Sequence, residues 1–177
     1  GLWHRSRRRG EHRERRARKA RFGELVQLDG SHHRWFGSDG PEGCLIEMVD
    51  DATSHGEGLL AKAETTVGAM RVLWQWVERY GIPQALYTDR KNVYVTDREP
   101  TLEEQLAGEE PLTPFGQACS KLGIEIITAH SPQAKGRVER RHGVLQDRLV
   151  KELSLRGITT LETANALLSN GFMAAIN

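Results

Sequence analysis

Two short apolar segments that each end in an aspartate constrain this fold more than any other feature of the sequence. Glu24 to Asp29 (ELVQLD) has apolar residues on both faces and a predicted stop at residues 30–31, which indicates a central strand covered on two sides. Ala85 to Thr88 (ALYT), followed by Asp89, predicts another strand after one helical crossover. If these strands are parallel neighbours, Asp29 and Asp89 lie together at the carboxyl edge of the sheet, where ligands bind in open α/β sheets.

The segments between these two strands predict a meander followed by a helix. Cys44 to Asp50 (CLIEMVD) and a segment near Gly58 to Ala63 read as two further strands joined by short links. Thr66 to Tyr80 is the clearest helix, and Gly81 with Pro83 ends it. The residues expected on its buried stripe are Val67, Met70, Trp74 and Val77, widened by Leu73, Trp76 and Tyr80.

The second half of the chain repeats the alternation of helix and strand. Arg90 to Pro111 is polar and contains six acids, which predicts either a disordered insertion or a small flap. A helix that begins at Thr113 and ends at Gly123 and a strand from Glu125 to Ala129 follow. The full order of elements predicts an α/β fold with a mixed five-stranded sheet flanked by helices.

A basic helix with one carboxylate in its early turns closes the series. Ser131 and Pro132 predict a turn, after which Val138 and three leucines recur at helical spacing as far as Gly157. Glu139 flanks this apolar stripe, so it can point into a groove at the edge of the core. The donors that could hold the phosphates of an anionic polymer are Lys135, Arg137, Arg140, Arg141, His142 and Arg148. The alternative is an amphipathic helix whose basic face is only solvated.

The net charge of +1 hides a division into a basic arm and an acidic body. Residues 1–21 contain ten Lys or Arg against two Glu, a balance of +8, which leaves −7 for the remainder. Because such an arm has almost nothing to bury, residues 1–22 are expected to contact DNA phosphates or to form a solvated linker. Residues 158–177 predict a further helical segment, and both ends look cut from a longer protein.

Composition excludes several classes of protein. A length of 177 residues with 38% hydrophobic residues suits one domain with a sizeable core. No apolar run approaches the roughly 20 residues that a membrane span needs, and no signal peptide is recognisable, so a cytoplasmic protein is expected. Cys44 and Cys119 lack CxxC spacing, which favours buried reduced thiols over a disulfide or a zinc site.

Three motifs resemble a known family. The runs LVQLDGSHHRW, ALYTDRKNVY and SPQAKGRVER resemble the three acid-bearing motifs of the integrase catalytic core (DDE) domain of bacterial insertion-sequence transposases, which are related to retroviral integrases. The resemblance covers residues 23–153, and it implies a ribonuclease H-like catalytic core over residues 23–157 with residues 90–111 as an insertion.

The resemblance also implies the chemistry. Asp29, Asp89 and Glu139 would hold two Mg²⁺ ions, with Asp29 bridging both, and Mn²⁺ would substitute because it also favours oxygen ligands. The implied reaction is two-metal-ion cleavage of transposon-end DNA and transfer of the freed 3′ hydroxyl into target DNA. The implied partners are element-end and target DNA, chromosomal or plasmid, and further copies of the chain in at least a dimer.

Two departures from the family pattern and several alternatives stay open. Asp89 and Glu139 are 50 positions apart, longer than in compact relatives, and Gln146 stands where many relatives carry Lys or Arg. The acids of the insertion, Asp50 and Asp51 are alternative ligands, and His32 and Trp35 could line the cleft or pack in a hairpin. The rival functions are a ribonuclease H-like nuclease or resolvase that cuts without joining, and a catalytically inactive DNA-binding or assembly module.

Overall fold

A mixed sheet of five strands forms the centre of the fold, as predicted. The computed structural model describes residues 17–129 and 136–177, so most of the basic arm, the turn predicted at 131–132 and Lys135 lie outside the described residues. The strands are β1 (Val26–His33), β2 (Gly43–Asp50), β3 (Gly56–Ala61), β4 (Ala85–Thr88) and β5 (Glu125–Thr128), in the spatial order β3-β2-β1-β4-β5. The helices are α1 (Thr66–Tyr80), α2 (Leu102–Ala107), α3 (Pro114–Lys121), α4 (Gly136–Leu155), α5 (Leu161–Leu167) and α6 (Met173–Ile176).

The first strand is longer than its sequence indicated. β1, β2 and β3 form the predicted antiparallel meander, and β4 and β5 lie parallel to β1. The predicted stop at residues 30–31 is wrong, because β2 pairs with β1 along its whole length, from Val26↔Asp50 to His33↔Gly43. Asp29 therefore lies within a strand, opposite Glu47, and not at its end.

Two hydrophobic clusters cover the two faces of the sheet. The first joins α1 and α3 to one face, with Leu28, Ile46 and Trp76 fully buried. The second joins α4 and the C-terminal helices to the other face around Trp35, which favours hairpin packing for this residue over a position in the cleft. The predicted stripe of α4 is confirmed, because Val138, Leu145, Leu149 and Leu153 are all fully buried. Among the described residues, no helix combines the length and the apolar composition needed to cross a lipid bilayer.

Helix α1 has the predicted bounds but buries a different face. Gly68, Ala69, Val72, Leu73 and Trp76 face the sheet. The predicted stripe is wrong at Val67 and Trp74, which are 63% and 66% exposed. The reason is close packing: a Cβ at position 68 would lie 2.4 Å from Cδ1 of Ile46, so the helix approaches the sheet through its small residues.

The buried face of α1 can be tested with one matched pair of substitutions. Val72→Ala is expected to lower the free energy of unfolding by about 2 kcal/mol, because it removes two buried methyl groups and leaves a cavity. Val67→Ala makes the same change on the exposed face and should shift stability by less than about 0.5 kcal/mol. Urea unfolding of both variants measures the difference, and equal losses would contradict the buried face described here.

The segment after α4 closes the open edge of β3. α5, a π-helical turn at Leu168–Phe172 and α6 pack on the second cluster. The side chain of Asn165 accepts from Leu60 N at 2.7 Å and donates to Leu60 O at 2.8 Å. Asn177 forms the same pair of bonds with the backbone of Gly56, at 2.8 and 3.1 Å. Two asparagines thus satisfy backbone groups that an edge strand would otherwise expose.

The acidic insertion has local structure. Thr101 and Glu104 form a capping box that begins α2, and Arg98 pairs with Glu104. Tyr94, which the sequence placed in a polar segment, is 1% exposed and packs edge-on against Phe115 at a ring distance of 5.4 Å. The first part of the insertion therefore belongs to the core.

Candidate active site

Strand register brings the two aspartates to the same level of the sheet. β1 and β4 pair in parallel through Val26↔Leu86 and Gln27↔Tyr87. Extending this register by two residues places Asp29 opposite Asp89, where β4 has ended and β1 continues. The predicted meeting of the two carboxylates at this edge agrees with the geometry, although Asp29 reaches it from within a strand.

A lysine ammonium lies among three carboxylates at this point. Nζ of Lys91 is 2.9 Å from Oδ2 of Asp89, 3.8 Å from Oδ1 of Asp29 and 2.6 Å from Oε2 of Glu64. Burial opposes the charge of Lys91, but hydrogen bonds to Glu64 and Asp89 outweigh that penalty and raise its pKa. The cluster is therefore a set of oxygen donors that already holds one positive charge.

Glu64 is held in place by its surroundings. Its side chain is 4% exposed, and Oε1 accepts a hydrogen bond from Oη of Tyr94 at 2.6 Å. A Cβ at position 30 would lie 2.3 Å from Oε2 of Glu64 and 2.9 Å from Sγ of Cys44, so only glycine leaves room for this carboxylate. The glycine that follows Asp29 is thus required by side-chain packing, and it does not form a turn.

A histidine and a cysteine border the same carboxylate. Ligand atoms of His32, Cys44 and Glu64 lie within 4.8 Å of one another. Burial raises the pKa of the Cys44 thiol to about 12, which disfavours the thiolate that a soft metal would need. Both Cys44 and Cys119 are buried and free, as predicted. Oxygen ligands for a hard cation therefore dominate this region.

Helix α4 packs over the face of β1 that carries Asp29. The backbone N–H of Val138 donates to Oε1 of Gln27 at 3.2 Å, and Nε2 of Gln146 donates to Oγ of Ser31 at 3.0 Å. These two contacts flank Asp29, because alternate residues of a strand share a face. Glu139 is exposed and lies two helical turns before Gln146, so it occupies the same flank of α4 as Gln146.

Two of the predicted phosphate donors on α4 turn toward the sheet. Arg141 is 9% exposed; its guanidinium pairs with Glu47 and donates to the carbonyl of Ser54 at 2.9 Å. Nε2 of His142 is 3.5 Å from Oε2 of Glu47, which is fully buried. Burial raises the pKa of Glu47 to about 8 while the neighbouring Arg141 acts to lower it.

The remaining predicted donors divide between the fold and the surface. Arg137 pairs with Asp51, a buried acid that also accepts from Nε2 of Gln27 at 3.0 Å and from the backbone of Lys19 at 2.8 Å. Arg140 and Arg148 are exposed. Arg148 lines a shallow surface groove with Lys151, Arg156 and residues of the C-terminal helices.

Sequence reasoning missed Glu64, Lys91 and Tyr94. Glu64 directly precedes Thr65, the N-cap of α1, and so reads as an ordinary acid at a helix start. Lys91 and Tyr94 lie in the segment that the sequence assigned to an insertion. A signal did exist in the dipeptide Asp29-Gly30, since a glycine that does not form a turn indicates a close approach of other atoms.

Sequence comparison links the chain to transposases. No protein family profile matches it. A protein of Sinorhizobium fredii named as a transposase, y4bF, is 38% identical over 100% of this chain. The transposase for insertion sequence IS1202 of Streptococcus pneumoniae is 39% identical over 86% of it. The chain spans only 38% and 32% of the lengths of these two relatives.

Structural comparison defines the class of fold. The catalytic core domain of HTLV-2 integrase in complex with magnesium is 20% identical, with a TM-score of 0.60 and coverage of 83% of both chains. The catalytic core domain of BIV integrase is 22% identical, with a TM-score of 0.58 and coverage of 84% of this chain and 82% of the other. The chain therefore has the ribonuclease H-like fold of integrase catalytic cores. Together with the sequence similarity, this confirms the predicted resemblance to the integrase-like cores of insertion-sequence transposases.

Proposed function

We propose that this chain is the catalytic core of a DDE transposase, which cleaves transposon-end DNA and transfers the 3′ hydroxyl into target DNA. The observation that carries the proposal is the shared register of Asp29 and Asp89, whose carboxylates both reach the ammonium of Lys91. The names of the two transposase relatives support it. The protein would act in the cytoplasm on chromosomal or plasmid DNA, as at least a dimer, because two element ends must be paired.

The proposed cofactor is a pair of Mg²⁺ ions, for which Mn²⁺ could substitute. Asp29, Asp89 and Glu139 would hold them, and carboxylate oxygens are the donors that these hard cations prefer. The fit is supported by the ammonium that the two aspartates already hold, and by the magnesium named with the HTLV-2 integrase core. When bound, such ions activate an attacking oxygen and neutralise charge on the leaving oxygen of a phosphodiester.

The chain's own residues would position these groups. β1 is paired with β2 along its whole length and with β4 just before Asp29, so Asp29 has little freedom to move. Glu139 is carried by a helix anchored to β1 through Gln27 and Ser31. The proposed DNA contacts are Arg140, Arg148 and Lys135, the last lying outside the described residues. Arg137, Arg141 and His142 instead hold α4 on the sheet, so we assign them to the fold and not to DNA.

A strand-transfer assay separates the proposed function from its rivals. The full-length protein is incubated with Mg²⁺, target plasmid and pre-cleaved element ends with free 3′ hydroxyls. Covalent joining of the ends to the plasmid is the expected result. Cleavage of intact ends without joining would favour a nuclease or resolvase. DNA binding without either reaction, in Mg²⁺ or Mn²⁺, would favour the inactive module.

A further inference from the structure

The ammonium of Lys91 occupies the centre of the carboxylate cluster that the proposed function assigns to metal. It contacts Asp29, Asp89 and Glu64 within 3.8 Å. The ammonium would repel a divalent cation held by the two aspartates, since two like charges a few ångströms apart in a partly buried site interact strongly. Metal and ammonium therefore compete for the same oxygen atoms.

Glu64 provides the ammonium with a partner other than the two aspartates. Its shortest contact is with Glu64, at 2.6 Å, and this carboxylate is 4% exposed and anchored by Tyr94. The Lys91 side chain is 42% exposed and its stem is flexible, so the ammonium can move away from the aspartates while keeping Glu64 as its partner.

We propose that Lys91 is an internal counterion of the catalytic carboxylates, which holds Asp29 and Asp89 in the metal-free protein and withdraws onto Glu64 when a divalent ion binds. Lys91 is then a positioning residue that sets the metal affinity of the site. It lowers the repulsion between the acids before metal arrives, and it keeps that affinity weak until DNA phosphates add their own ligands. This role rests on the metal chemistry proposed above.

The test is Mn²⁺ binding to the 177-residue chain without DNA, followed by the electron paramagnetic resonance signal of free Mn²⁺. Lys91→Met is expected to tighten Mn²⁺ binding by at least about tenfold, because it removes a competing charge from the site. Arg90→Met is the matched control: it removes a neighbouring positive charge that is 62% exposed and paired with Asp97, and it should leave the affinity within about twofold.

Two further measurements make the result unambiguous. Lys91→Met should lower the melting temperature of the metal-free chain and give a larger rise on adding Mn²⁺, whereas Arg90→Met should change neither. Adding Asp29→Asn to Lys91→Met should abolish the tighter Mn²⁺ binding. Unchanged or weaker binding in Lys91→Met would overturn the role of Lys91, and if Asp29→Asn still removed binding, the proposed metal site would stand. Absence of binding in both the natural chain and Lys91→Met would overturn both proposals.

Discussion

Under the proposed function, Asp29→Asn is expected to reduce metal-dependent strand transfer by the full-length protein at least about a thousandfold, since the charge stabilisation that metal supplies to both oxygens of a phosphodiester would be lost. The loss of Asp29 should be hard to compensate, because it lies within β1 and the acid opposite it on β2, Glu47, is fully buried and paired with Arg141. Rates with pre-cleaved ends, measured in Mg²⁺ and in Mn²⁺, provide the comparison.

The matched control for this change is Asp97→Asn. Asp97 belongs to the insertion, its side chain is 83% exposed, and it pairs with Arg90 outside the carboxylate cluster. The same removal of one carboxylate charge there should change the rate less than about threefold, as expected for a surface substitution. If Asp29→Asn retained strand transfer while Asp97→Asn lost it, the assignment of the catalytic acids would be wrong.

Glu139→Gln should give a loss similar to that of Asp29→Asn, and it tests a different part of the structure. Glu139 is exposed on the flank of α4 that packs over β1, and its approach to the aspartates depends on the seating of that helix. If activity survived Glu139→Gln, Glu139 would not belong to the site, and only Asp29 and Asp89 would remain as proposed metal ligands.

The sequence predicted those parts of the fold that depend on local pattern. Strands β2, β4 and β5 and helix α1 follow from apolar runs and from glycine or proline at their ends. The extension of β1 through Gly30 could not be read locally, because only its pairing with β2 holds it extended. The buried face of α1 was misjudged because large apolar residues were weighed above Gly68 and Ala69, which allow close contact with the sheet.

The sequence predicted the two aspartates of the candidate site but not the residues that surround them. Asp29 and Asp89 follow from strand order, because parallel neighbours share an edge. Glu64 and Lys91 come together only through the tertiary structure, from segments 27 positions apart in the chain. The pairing of Arg137 and Arg141 could not be predicted for the same reason: their partners, Asp51 and Glu47, lie just beyond and on β2, far away in sequence.

Arg141→Met is expected to lower the free energy of unfolding by about 3–5 kcal/mol, because it breaks a buried pair and removes the guanidinium that offsets the burial of the Glu47 carboxyl. The guanidinium also donates to the carbonyl of Ser54 and to the side chain of Asn177, so its loss weakens the attachment of α4 and the C-terminal helix to β3. Arg140→Met, one residue earlier and exposed, should change stability by less than about 0.5 kcal/mol. Urea unfolding followed by circular dichroism measures both.

For DNA affinity, in contrast to stability, Arg140→Met should have a larger effect than Arg141→Met. Arg140→Met should weaken binding to any sequence and reduce the slope of log K against log salt by about one, as expected for the loss of one phosphate contact. Glu47→Gln added to Arg141→Met should recover part of the lost stability, because the amide is already neutral, whereas the buried Glu47 carboxyl must take up a proton or stay charged without the guanidinium. If Arg141→Met were as stable as the natural chain and lost the salt-dependent contact instead, Arg141 would be a DNA ligand and the ion pair with Glu47 would not hold the fold.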